Sequence, residues 1–116
     1  MKLVELFDAL NENNGFTVNG ALDQVSTDQG YAVSYDRNET RVKRSFLTLE
    51  MFEAVIALYQ DESKGAFIGA WYDADTDEIC FDVSQIVQDR ETAIRLAKHY
   101  QQKAIFDFST KTAINL

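Results

Sequence analysis

Three aspartates at alternate positions, Asp73, Asp75 and Asp77, match the first three ligand positions of a calcium-binding EF-hand loop. The rest of that loop is missing. Glu78 stands where the sharp turn needs glycine, and Ser84 stands where a bidentate glutamate would close the site. The triplet therefore reads as an acidic, solvated turn, and no metal is assigned. Asp82 and Asp107 could work as a general acid and base if they shared a dry cleft. The commoner fate of two such carboxylates is a backbone hydrogen bond or open solvent.

Cys80 and His99 are the chain's single cysteine and single histidine. A nucleophilic thiolate needs a base within reach, and nothing in the sequence brings His99 to Cys80. One cysteine and one histidine also fall short of a zinc site. A buried strand cysteine, and a histidine at the negative end of a helix, account for both. The five glycines are scattered and form no phosphate-cradling loop, so no cofactor and no catalytic residue is assigned.

Trp71 and Tyr72 precede the acidic turn. Tryptophan and tyrosine are enriched at binding hot spots, and an acidic rim would select a basic partner. The candidate partner-binding residues are Trp71, Tyr72, Asp73, Asp75, Asp77, Glu78 and Asp82. Against this stands the ordinary reading that Trp71 is simply core.

These residues need elements to position them. Phe67 to Ser84 reads as a hairpin around the acidic turn. Phe67, Gly69 and Trp71 alternate with Ile68, Ala70 and Tyr72, which predicts burial on both faces. In the return strand Ile79, Phe81 and Val83 should meet the helices, and Cys80, Asp82 and Ser84 should be more open.

Upstream, Leu3, Leu6, Phe7 and Leu10 have helical spacing, with a stop at Asn13-Asn14-Gly15. Phe16–Val18 is extended and ends in the Asn19-Gly20 turn, and Ala21–Gln29 is assigned no regular structure. Tyr31–Asp36 is a second strand. Arg37–Thr40 reads as a turn and Arg41–Ser45 as its returning edge strand, where charge blocks unwanted pairing. Thr48 is a candidate N-cap for a helix striped by Phe52, Val55, Ile56 and Tyr59, widened by Met51 and Leu58. Lys64-Gly65 lies in its stop.

A third helix, capped near Gln88 or Asp89, carries Ala93, Leu96, Ala97 and Tyr100. Lys103–Phe108 is a strand, and Thr112–Leu116 can add one more. A right-handed crossover would pair Glu78–Ser84 in parallel with Lys103–Phe108 and bring Asp82 near Asp107. The fold expected over residues 1–116 is a single α+β domain. It has an antiparallel or mixed sheet and three helices in the order α-β-β-β-α-β-β-α-β.

Composition narrows the function. The net charge of −8 over 116 residues opposes direct nucleic-acid binding, which needs clustered Lys and Arg. No apolar run is long enough to span a bilayer, and acids recur through MKLVELFDALNEN, so no membrane contact is expected and the location expected is cytoplasmic. The charges are uneven. From Arg37 to Arg44 four basic residues (Arg37, Arg41, Lys43 and Arg44) stand against one acid, Glu39, and from Asp73 to Glu91 seven acids stand against Arg90 alone. Such a bipolar molecule suits a basic partner surface or head-to-tail self-association, so a homo-oligomer is left open.

The segments Gly15-Phe-Thr-Val, Gly30-Tyr-Ala-Val-Ser, Ile68-Gly-Ala-Trp71, Phe81-Asp-Val-Ser84 and Ala93…Leu96-Ala97…Gln102-Lys-Ala-Ile-Phe-Asp107 resemble small uncharacterised proteins of bacteriophages and plasmids. There a G-x-W strand, a D-V-S strand and a helix leading to an A-I-x-D strand recur in this order. The resemblance covers most of the chain beyond Gly15. It implies a mobile-element origin in a bacterial host cell and brings no catalytic residues. The expectation is a non-enzymatic acidic binding protein, for example an inhibitor of a host-defence or nucleic-acid-handling protein. The alternatives are a small enzyme or ligand-binding domain using an Asp82/Asp107 cleft, or a self-associating structural protein.

Overall fold

The apolar spacing of the first residues does produce a helix. In a computed structural model, which describes residues 2–25, 27–34, 39–63 and 66–116, helix α1 (Leu3–Asn13) buries Leu6, Ala9 and Leu10. Asn14 ends it in the left-handed region at φ 62°, its amide donating to the Leu10 carbonyl. Asparagine is one of the few residues that tolerates this cap geometry.

The chain continues through strands β1 (Gly15–Val18), β2 (Tyr31–Ser34) and β3 (Thr40–Lys43), then a 3-10 turn at Arg44–Phe46 and helix α2 (Leu49–Ser63). Strands β4 (Phe67–Asp73) and β5 (Glu78–Val87), helix α3 (Arg90–His99) and strands β6 (Ala104–Asp107) and β7 (Thr112–Asn115) complete it. The class is α+β, in the expected order, with the additional final strand present. The end of the second strand at Tyr35-Asp36, the turn residues Arg37-Asn38 and the helix stop at Lys64-Gly65 lie outside the described residues.

Two units are formed. One comprises Met1–Val25 with Asn38–Val83, the other Ser26–Arg37 with Ser84–Leu116, and β5 runs from the first into the second. In the first unit the strands run β1-β4-β5, with β3 also on β5. β1 is antiparallel to β4, Gly15 opposite Trp71 and Val18 opposite Ile68. Helices α1 and α2 supply the core. Phe52 is fully buried, with ring centroids 5.3 Å from Phe7, 6.0 Å from Phe16 and 6.0 Å from Phe81. Burial of such a side chain contributes on the order of 2–3 kcal/mol. Tyr59 packs edge-on against Phe81, and its hydroxyl donates to the Phe81 carbonyl at 3.2 Å. Thr48 caps α2, its hydroxyl accepting the Met51 amide at 3.2 Å.

Three expectations are corrected in this unit. The stripe of α2 is narrower than the sequence suggests, because Met51 and Leu58 are 40% and 53% exposed. The helix rests along Phe52, Ile56 and Tyr59, and those two residues lie beyond the contact. The set Cys80, Asp82 and Ser84 is also less open than expected. Cys80 and Ser84 are buried and Asp82 is half-buried. Finally, β3 is not the return partner of β2. It pairs antiparallel with the start of β5, Thr40 opposite Phe81 and Arg41 opposite Cys80. It has no second partner strand among the described residues, so the edge position expected of it holds.

In the second unit β2 is antiparallel to both β5 and β6, and β6 to β7. Helix α3 begins at Asp89, whose carboxylate accepts the Thr92 amide at 2.9 Å. The small residues Ala93 and Ala97 are buried with Val33 and Ile105, which lets helix and strands approach closely. The crossover through α3 therefore does not pair β5 with β6. It leaves a slot that β2 fills, hydrogen-bonding on both edges.

Candidate binding site at the acidic hairpin

The turn Ala74–Asp77 joins β4 to β5, and Asp77 adopts φ 54°, a conformation aspartate tolerates better than most residues. Asp73, at the end of β4, is 4% exposed. One of its oxygens accepts the Asp75 amide at 3.1 Å and the other accepts from Arg41 at 3.1 Å. A buried carboxylate is expensive unless its lone pairs are satisfied, and this pairing supplies the compensation. The EF-hand ligand role is thereby replaced by a structural one. Among the described residues no cluster of three metal-ligating side chains is found.

Arg41 is the centre of the arrangement. Its guanidinium also meets Glu39 at 2.8 Å and Glu78 at 3.3 Å, and it lies 5.9 Å from the centroid of the Trp71 ring. Burial works against its charge, but the hydrogen bonds to Glu39 and Asp73 outweigh that and raise its pKa. Its neighbours act on the same turn. Lys43 donates from Nζ to the Thr76 carbonyl at 2.6 Å, and the Arg44 amide donates to the Asp77 carbonyl at 3.0 Å. The Arg44 guanidinium lies 4.6 Å from the Tyr72 ring centroid and donates to the Asn11 carbonyl and to Asn14 at 3.3 Å each. Tyr72 in turn donates to Asp77 at 2.6 Å.

The basic run and the acidic turn, read from sequence as two poles, are thus folded against each other at Arg41, Lys43 and Arg44. Of the proposed contact residues, Asp75 and Asp77 are exposed. Trp71, Tyr72, Glu78 and Asp82 are half-buried and Asp73 is buried. The sequence reading gave Arg41, Lys43 and Arg44 an edge-strand role and missed their part in the site. The signal was present in their density within eight residues, but only the pairing of β3 with β5 shows where it is directed.

Asp82 lies on the same face of the strands, its carboxylate set over Gly69, where a Cβ would collide with it. Its pKa is pushed up to about 7, first by burial and then by Glu39, while a hydrogen bond from Trp71 favours the charged form. The parallel pairing expected of β5 with β6 is absent, since β2 is the partner of both strands. Asp107 instead accepts the Ser109 amide and hydroxyl at 2.9 and 2.7 Å, which holds its pKa below the usual carboxylate range. Cys80 is fully buried, and burial pushes its thiol up to about 12, which suppresses the thiolate needed for nucleophilic attack.

The arrangement places the acidic turn of the hairpin against Arg41, Lys43 and Arg44. In comparison with known proteins, the chain matches no family model, no curated protein and no solved structure.

Proposed function

We propose that this is a non-enzymatic binding protein that docks a basic protein surface through the tip of its β4–β5 hairpin. The observation that carries the reading is the clamping of the acidic turn by Arg41, Lys43 and Arg44, with Asp75 and Asp77 left exposed on it. A loop ordered before binding loses little entropy on docking. The net charge of −8 steers a basic partner toward the molecule. The motif resemblance adds a mobile-element origin and a place in the bacterial cytoplasm. Inhibition of a host-defence or nucleic-acid-handling protein is the concrete version, the acidic tip covering a basic surface.

Affinity capture from a bacterial lysate, read by mass spectrometry, tests this with a designed pair of substitutions. Asp75→Lys combined with Asp77→Asn reverses charge at the tip while keeping a residue that accepts the left-handed conformation at position 77. The wild type should retain a specific basic protein and the double variant should lose it. Equal capture by both refutes the hairpin as the contact.

A further inference from the structure

A second apolar stripe runs along α2 beside the buried one. Met51, Ala54, Val55 and Leu58 recur at i, i+3, i+4 and i+7, so they share one side of the helix. Met51, Ala54 and Leu58 are exposed and Val55 is half-buried. Phe46, in the turn leading into the helix, is 70% exposed. On the helical wheel, one edge of the stripe adjoins the buried Phe52–Ile56–Tyr59 line. The opposite edge is followed by Asp61 and Glu50. Helix α2 has no basic residue between Leu49 and Ser63.

We infer that this face of α2 is a docking surface for an amphipathic, basic helical segment of a partner protein. Its apolar side would lie on Met51, Val55 and Leu58, and its Lys or Arg residues along Glu50 and Asp61. Size points to a single segment. One helix stripe offers on the order of a few hundred Å², against roughly 800 Å² per partner in a standard stable interface between globular proteins. Charge then chooses the segment's sign, since an acidic rail attracts cations and repels an acidic helix. A second copy is a poor occupant for the same reason. Packing α2 on α2 would set Glu50 and Asp61 against their own counterparts, with no cation on the helix to offset them. The inference uses a different surface from the hairpin tip and does not depend on it.

The test uses a fluorescein-labelled Leu/Lys peptide of about 18 residues, roughly five helical turns, with leucines on one face. A Leu/Glu peptide of identical pattern is the control, and fluorescence anisotropy at physiological salt is the readout. The Leu/Lys peptide should bind and the Leu/Glu peptide should not. Met51→Gln with Leu58→Gln should weaken binding by about tenfold or more, and Glu50→Lys with Asp61→Lys should do the same. Circular dichroism of both variants should remain that of the wild type, because all four positions are exposed. Asp75→Lys with Asp77→Asn should leave peptide binding unchanged, which separates this surface from the hairpin. Absence of binding, equal binding of both peptides, or loss through the hairpin variant alone overturns the inference. So does a wild-type dimer in sedimentation that Met51→Gln with Leu58→Gln converts to monomer, since a second copy would then hold the stripe.

Discussion

At Arg41 one guanidinium serves Glu39, Asp73 and Glu78 and approaches Trp71, and the consequences fall unevenly on its partners. Glu39 and Glu78 reach solvent, whereas Asp73 is buried and would lose its guanidinium partner. Arg41→Met is therefore expected to cost about 3 kcal/mol, near the range for breaking a buried pair from one side. Urea denaturation would measure it. Combining it with Asp73→Asn should recover part of the loss, because the amide carries no charge to strand. Asp82 makes a prediction in pH. Its folded carboxyl holds a proton to about 7, whereas an unfolded aspartate releases it near pH 4. Folding thus takes up a proton between those values, and this site's contribution to stability falls as pH rises through that window. Asp82→Asn should flatten the fall by about 1–2 kcal/mol once partial exposure is allowed for. Parallel urea titrations of both proteins at pH 5 and pH 8 give the comparison. An unchanged pH slope in the variant would show that another group is responsible.

Among the elements, local spacing determines most of what forms. The α1 stripe, the Thr48 and Asp89 caps and the Asn14 stop all lie within a few residues of what they control, and they are legible for that reason. Pairing between strands was less legible. Arg37–Thr40 resembles a hairpin turn, yet β3 joins β5, where Arg41 lies opposite Cys80 and within reach of Asp73 and Glu78. Those contacts span more than thirty residues of sequence, as the separation of 32 between Arg41 and Asp73 shows. A reading of neighbours cannot anticipate them. The insertion of β2 between β5 and β6 is non-local in the same way, and it replaces the parallel β5–β6 pairing that spacing alone had suggested. On α2 periodicity identified the helix but not how much of its apolar side is covered. Phe52→Ala should cost about 3–5 kcal/mol, whereas Leu58→Ala should change stability by less than about 1 kcal/mol. Thermal unfolding of the two variants measures the depth of packing directly.

For the molecule as a whole, the excess of negative charge favours solubility and a basic partner, and the fold determines where that charge is presented. Arg41, Lys43 and Arg44 face the acidic hairpin, so they order the turn in addition to lowering its net charge. The acidic character was legible from composition. Its distribution was not, because Asp73 and Asp75 look alike in sequence and differ completely in exposure. The central claim is that the exposed tip meets a partner. A photo-crosslinking amino acid placed at position 75, irradiated in bacterial lysate and compared with the same group at exposed position 111, tests it most directly. The account predicts a discrete crosslinked basic protein from position 75 that is absent from position 111. No specific crosslink from position 75, or the same products from both positions, would contradict it.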